Sequence, residues 1–520
     1  MKTAKSFLIG CSAALLALPA TAQTAGDLLN MSQYNYSFGT ARSAALGGAF
    51  TSLGADLSSI NINPAGLGMY RSSDVGITPS VTWNTMESNY LGMNSDYSKT
   101  RFGLGNVAAA FNLYQGGGAL TSFTLGVGYN KMADFNTSSL ARGYGAPNSI
   151  NEIFAEQLLG VPESTISQPK LKPFEDLPTD MWGGILAYQT GILDPVKGSD
   201  PQAYSPWNAI AEDAAINPTL RNITKGSIGE YDIAGGFNFG NILYVGFTVG
   251  IQDINYNNQN DYSEFYSNNP QPLNGMRYIR SLKMDGTGVN FKFGAVVRPI
   301  ENLRIGLAVH TPTFIRINEE YIEYMSADYK NQRPGDMLDS RYALNEYNIN
   351  TPTRLMAGLS YTVPGVGLIT ADYERVWYNG MRLKNMNSWN YEESVKTDVE
   401  DLYRPANNFR VGIEATPLKN FYLRAGYAHY DNCMRGDYAI FNNQAIIKSY
   451  DNFSGGLGFR FQNIYVDVAY IYSKYKYNPY DMFYFAEYDA SGNQTYLIES
   501  GQVSTRQNRN TISLSLGVKF

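Results

Sequence analysis

Two histidines, His310 and His429, are the only imidazoles in this 520-residue chain. A hydrolase or acyltransferase normally sets a base, most often histidine, beside a nucleophile. Each histidine here stands alone in a strand-like alternation, so His310 reads as a hydrogen-bonded wall residue and no catalytic residue is assigned. No paired His or Cys spacing suits a metal, and neither a metal nor a cofactor is expected. Charge at regular parity is what the sequence does offer. Lys292, Arg304, Arg354, Arg410, Arg424 and Arg460 fall on the same face of their segments as Asp372, Glu374, Glu414 and Asp467. A guanidinium there could meet a ligand carboxylate, but both signs in similar number predict pairing across neighbouring strands.

The elements that must hold these charges are strands. In Arg509 to Phe520, Ile512, Leu514, Leu516, Val518 and Phe520 point one way and Thr511, Ser513, Ser515, Gly517 and Lys519 the other. Leu303 to His310, Phe409 to Glu414 and Phe421 to Ala428 repeat the pattern. A terminal strand finishing in phenylalanine resembles the C-terminal signature of bacterial outer-membrane barrels. About fourteen strands follow, an even number, with short connections alternating with long polar excursions near 87–100, 134–226, 256–279, 319–350, 379–403, 432–448 and 478–507. That alternation predicts an all-β transmembrane antiparallel barrel with short periplasmic turns and long extracellular loops. Tyr373, Trp377, Tyr378, Tyr427, Tyr430, Tyr470, Tyr472, Tyr475 and Tyr477 gather near the long loops and are expected to form the outer aromatic girdle.

Lys2 and Lys5, the apolar run Ser6 to Leu18 and the small-x-small ending Pro19-Ala20-Thr21-Ala22 predict a signal peptide over 1–22. Loss of Cys11 with it leaves Cys433 alone, so no internal disulfide is possible. No apolar run after it approaches the ~20 residues of a membrane helix. A net charge of −6 gives no reason for a nucleic-acid partner. No linker divides the rest, which reads as an N-terminal segment, 23–73, leading into a barrel over 74–520.

That N-terminal segment lacks sustained alternation and is rich in Gly, Ala and Ser, suited to close packing inside a wide lumen. Gly39-Thr40-Ala41-Arg42-Ser43-Ala44, Gly47-Gly48-Ala49, Ala55-Asp56 and above all Asn61-Ile62-Asn63-Pro64-Ala65-Gly66-Leu67 resemble the FadL and TodX outer-membrane transporters of long-chain fatty acids and other hydrophobic molecules. The close resemblance covers roughly residues 39–80. It implies a fourteen-stranded barrel plugged by an N-terminal hatch, with Asn63, Pro64 and Ala65 as the hatch motif. It also implies that a hydrophobic small molecule is captured by the outer loops, enters the lumen, displaces the hatch and leaves sideways into the bilayer. The family's ligand-contacting residues cannot be aligned and none is carried over.

Two further sets of residues are candidates for this route. Ile150 to Val161 reads as a short amphipathic helix, and Met181 to Ile192 gives a second apolar stripe, so Ile153, Phe154, Leu158, Trp182, Ile185 and Leu186 are candidates for outer-loop capture. The alternative is that the two segments pack on each other. The family's lateral gap lies at its third strand, here about Leu120 to Lys131, whose Gly126 and Gly128 permit a kink, although parity turns both toward a crowded lumen. The expected setting is the outer membrane of a Gram-negative cell, reached through the barrel-assembly machinery, with outer-membrane lipid around a monomer. A FadL-like barrel serving as a protein carrier in type IX secretion is the alternative function, and an open porin is disfavoured because a hatch would block it.

Overall fold

The computed structural model describes all residues except 1–24, 35–38, 170, 197–206, 209–213, 331–334, 385–388, 437–445 and 489–493. The expected signal peptide lies outside the described residues. Fourteen antiparallel strands close into a barrel. We number them β1 (Asp74–Tyr90), β2 (Met93–Gln115), β3 (Leu120–Asp134), β4 (Ala215–Phe239), β5 (Leu243–Ser267), β6 (Leu273–Ile300), β7 (Leu303–His310 continuing as Phe314–Tyr329) and β8 (Ala343–Asn350 continuing as Arg354–Val363). The circuit continues with β9 (Gly367–Val376), β10 (Ala406–Leu418), β11 (Phe421–Tyr430), β12 (Ile447–Phe461), β13 (Ile464–Tyr477) and β14 (Gln502–Lys519). Pairing of β1 with β14, from Asp74↔Lys519 to Tyr90↔Val503, closes it. Closure leaves no sheet edge, the condition for a strand protein to cross lipid.

Outward apolar residues form a belt. On β5 they run from Leu243 to Ile251 and on β6 from Val289 to Val297, with Asp253 and Thr287 next above, the ~9–11 residues a tilted strand needs to cross the hydrocarbon. Phe247, Phe293, Ile305, Leu307, Phe409, Leu457 and Ile512 are exposed on this face. The strands do not stop at the belt. Stretches 87–100, 256–279 and 319–350, expected as loops, are mostly strand: β1 and β2 stay paired up to a two-residue turn at Leu91-Gly92, with φ of 48° and 80°. Outside the membrane both faces of a ladder tolerate polar residues, so composition imitates a loop while backbone pairing continues. Only 268–272 separates β5 from β6.

The tyrosines divide by parity rather than forming one girdle. Tyr427 and Tyr470 face outward, whereas Tyr430, Tyr450 and Tyr475 stack inside, with ring centroids 4.1 and 4.8 Å apart. β7 and β8 are each interrupted by Thr-Pro-Thr, at 311–313 and 351–353, where proline supplies no ladder proton. The two breaks stitch each other: Thr313 N donates to Thr351 Oγ1 at 2.8 Å and Thr351 N to Thr313 O at 3.1 Å.

Candidate functional site: a hatch on glycines beneath an apolar chamber

Residues 39–73 fill the barrel waist. Short helices α2 (Ala41–Ala45) and α3 (Ser59–Ile62) and a 3-10 turn, Pro64–Met69, make up its regular parts; we reserve α1 for Ala25–Asn30 above them. Thr40 caps α2, accepting from Ser43 N at 3.2 Å. Asn63 does the same for the 3-10 turn: its Oδ1 accepts from Ala65 N at 3.1 Å, and Pro64 occupies the first position, where no amide proton is needed. Asn63 Nδ2 also donates to Thr51 O at 2.6 Å, tying the two halves of the hatch together.

The wall meets the hatch with glycines. Gly236, Gly246 and Gly294 lie side by side on β4, β5 and β6, and Gly306 with Gly358, then Gly412 with Gly426, repeat the pairing around the circuit. A Cβ on Gly246 would stand 2.6 Å from Ala65 N, and one on Gly294 2.9 Å from Asn63 Cγ; Gly306 and Gly426 approach Thr51 and Gly47 as closely. Only a bare backbone admits this approach. Gly126 belongs to the same seat, since a Cβ there would stand 2.9 Å from Ile60 Cγ1 and 3.0 Å from Leu67 Cδ1 of the hatch, while Gly128 lies against Ala108 of β2.

Polar wall residues between the glycines satisfy hatch carbonyls and amides. His310 Nε2 lies 3.0 Å from Ile62 O, Thr248 Oγ1 donates to Ile60 O at 2.8 Å, and Thr370 Oγ1 to Ala49 O at 3.1 Å. Asp372 accepts from Thr51 N and Oγ1 at 2.8 and 2.7 Å. His429, by contrast, faces Asp451 across 2.8 Å away from the hatch, so the structure does not bring the two histidines together.

The inward charges singled out by parity are paired across strands, Arg304 excepted. Arg424 meets Glu414 and Asp467, each at 2.6 Å; Arg460 meets Asp467 at 2.9 Å; Arg354 and Arg410 share Glu374 at 3.3 and 3.2 Å. Arg42 of α2 joins the set through Glu414 at 3.0 Å. Sequence parity singled out Lys292 but not its partners in a second buried group, in which it binds Glu230 and, at 3.0 Å, Asp232, while Gln252, Asn290 and Asn61 also donate to Glu230. Such groups are costly to leave unpaired, which fixes the strands and hatch around them.

Above the hatch the lumen turns apolar. Met284, Ile315, Ile317, Tyr347, Ile349 and Met356 line the wall, and α6 (Trp389–Leu402) closes one side with Val395 and Val399. The chain's own α1 fills this space with Leu28 and Leu29, followed by Met31 and Tyr34. Tyr403 Oη donates to Ala25 O at 2.9 Å, and the Arg354 guanidinium stacks 4.5 Å from the Tyr34 ring centroid. Cys433 sits in the same cluster, and burial pushes its thiol up to about 12.

The six outer-loop candidates lie higher still, in α4 (Ile150–Gln157), its C-cap and α5 (Trp182–Gln189). Phe154, Leu158, Trp182, Ile185 and Leu186 are buried in one core, against which Ile153 packs. Gly184 lets α5 approach α4, since a Cβ there would lie 2.9 Å from Phe154 O. Glu264 of β5 anchors this roof, accepting from Ile150 N at 2.8 Å and from Tyr262 and Tyr266 at 2.6 and 2.7 Å.

One stretch of wall is unstitched. The β2–β3 ladder runs from Gln115↔Ser122 to Asn106↔Asn130 and ends there. Above it β2 pairs only with β1, whereas Lys131 to Asp134 and the short strand Thr137–Arg142 pair only with β4. Register shifts at Thr78/Pro79 and Lys131/Ala133 flank the end of the ladder. Gly126 and Gly128 lie below it, within regular pairing. A small recess of about 10 Å³ between Asn61, Ile62, Asn130 and Met132 lies at this point, against the hatch.

No protein-family model and no curated protein sequence matches the chain. Solved structures do. The Pseudomonas putida toluene transporter TodX superposes with a TM-score of 0.52 at 12% identity, over 94% of this chain and 99% of that one. A Pseudomonas aeruginosa FadL homologue gives 0.51 at 12% over 92% and 98%, and the Ralstonia pickettii toluene transporter TbuX 0.50 at 12% over 94% and 99%. At that identity the likeness shows the fold.

Proposed function

Proceeding from the fold of the FadL-type outer-membrane transporters, we propose that this protein carries hydrophobic small molecules across the outer membrane after export through the signal peptide 1–22. The observation that carries the reading is the apolar chamber above the hatch. An aqueous porin keeps a polar lumen, whereas here Met284, Ile315, Ile317, Tyr347 and Met356 surround a space occupied by α1, Met31 and Tyr34. An apolar ligand gains by replacing those side chains, at ~25 cal/mol for each Å² it removes from water.

On this reading Ile153, Phe154, Leu158, Trp182, Ile185 and Leu186 form the outer capture surface when α4 and α5 part, and ligand displaces α1 on its way in. The Asn63-Pro64-Ala65 turn keeps the floor shut. Release runs sideways through the unstitched β2–β3 wall just above Gly126 and Gly128, beside Asn130 and Lys131. Long-chain fatty acids and small aromatic hydrocarbons both fit an apolar chamber.

The test is uptake of a labelled long-chain fatty acid and of labelled toluene by cells lacking their own transporter of this type. Uptake of either that requires the protein and responds to replacement of Asn63-Pro64-Ala65 supports the proposal. Confirmed surface expression without uptake of either refutes it for these two classes, and moves weight to the protein-secretion alternative.

A further inference from the structure

At the short-turn end, beneath the hatch, lies a second cavity of about 400 Å³. Its character is opposite to that of the chamber above. Arg42, Ala55, Asp56 and Met69 of the hatch form its ceiling, and Arg304, Glu414, Arg424, Arg460, Asp467 and Lys519 line its wall. The charges nearly cancel by direct pairing. Arg42 and Arg424 share Glu414, Arg424 and Arg460 share Asp467, and Lys519 stands 3.9 Å from Asp74. Asp56 accepts from Thr40 Oγ1 and Ser58 N at 2.8 and 2.9 Å.

One donor is left over. Arg304, inward on β7, makes no hydrogen bond or ion pair among the described residues, and its charged neighbours include Arg42 and Arg298, both of its own sign. Arg424, with its side chain 1% exposed, is enclosed by its partners Glu414 and Asp467. A guanidinium cannot shed its proton at physiological pH, and its planar fork suits two oxygens of one anion.

We propose that this vestibule binds a compact oxyanion, a phosphate or carboxylate group, held by Arg304 beneath the Arg42 guanidinium. The anion sits where hatch and wall meet, so it bridges Arg42 above and Arg304 beside it. The inference stands on this cavity alone and does not depend on what the apolar chamber carries.

Calorimetric titration of the full protein in detergent, at constant ionic strength set with chloride, tests it with inorganic phosphate in one arm and acetate in the other. Saturable binding is expected in at least one arm, and which arm identifies the oxyanion. Arg304→Gln should weaken it at least about tenfold, the scale of one charge-assisted contact. Arg277→Gln, at an arginine paired with Asp261 away from the vestibule, should bind as the wild type does. Arg304→Lys keeps the charge and is expected to retain part of the affinity, which separates loss of the cation from a misfolded Gln variant. Absence of saturable binding in both arms overturns the proposal, as does equal binding by wild type and a folded Arg304→Gln.

Discussion

Adding one methyl group at Gly294 should unseat the hatch while leaving the barrel intact. Gly294 is held in the wall by ladder bonding to Gly246 on one side and Ala308 on the other, so it cannot retreat without breaking strands. A Cβ there stands 2.9 Å from Asn63 Cγ and 3.2 Å from Pro64 Cδ, inside contact distance for both. The side chain that must move is the one whose Oδ1 caps the 3-10 turn and whose Nδ2 holds Thr51 O. Overpacking of this kind costs about 1–3 kcal/mol, and each hydrogen bond lost adds about 0.5–1.5 kcal/mol. Even the lower half of that range, about 1–2 kcal/mol, multiplies the displaced population some 5- to 30-fold. Single-molecule conductance in planar bilayers should show more frequent openings for Gly294→Ala, with protease cutting near Asn63 accelerated in step. Gly455→Ala is the control, because a Cβ there meets only Arg424 O, at 3.8 Å. Wild-type conductance and protease resistance in a folded Gly294→Ala barrel would refute the idea that the glycine seat holds the hatch.

Other expectations follow from the same geometry. Cys433, buried and with its thiol pushed up to about 12, should react with maleimide far more slowly than a free thiol at pH 8; bound ligand that displaces α1 should change that rate, and indifference to ligand would argue that the chamber is not where it binds. Deleting residues 25–34 should empty the chamber and raise affinity for a fluorescent fatty acid, measured by titration; unchanged affinity would mean that α1 does not compete. Gly103→Trp places bulk where a Cβ stands 2.8 Å from the Lys131 ammonium, beside the unstitched wall, and should slow uptake while leaving binding alone. Lys292→Met strands Glu230 and Asp232 without their cation and should cost about 3–5 kcal/mol, read as a lower urea midpoint in lipid vesicles.

Period-two parity made the paired interior legible in sequence. Arg410 and Glu374, or Arg424 and Asp467, could be set on one face without knowing the register, because a closed barrel has only an inside and an outside. The same logic sorts Tyr427 from Tyr430, although position near the loops suggested a single girdle. Element ends were harder. Residues 87–100 and 256–267 carry polar residues on both faces, and nothing local distinguishes a strand rising into water from a loop. The glycine seat was spelled out in Gly236, Gly246, Gly294 and Gly306, yet recognising a ring requires knowing which residues stand opposite, and turn geometry sets that. Residues 25–34 gave no sign that they leave the hatch for the chamber above it, since Leu28, Leu29 and Met31 suit any apolar surroundings.

The seat of the hatch also bears on the order of assembly. Its contacts begin at Gly76 of β1, which lies against Leu57, and run through Gly426 of β11 and Ser454 of β12 to Ser515 of β14, which accepts from Ala41 N at 2.7 Å. The hatch, which precedes every barrel strand in the sequence, is thus completed by contact with β14, and Ser73 and Phe520 exchange backbone bonds of 2.8 and 3.0 Å at the join. Contacts of such sequence separation form slowly. Until β14 arrives, the hatch has an incomplete socket, and the nascent barrel holds its own stopper at an open side. Zipping of β14 onto β1 is therefore a single event that seals the wall and seats the plug, so a defect in either should be felt as a delay in both.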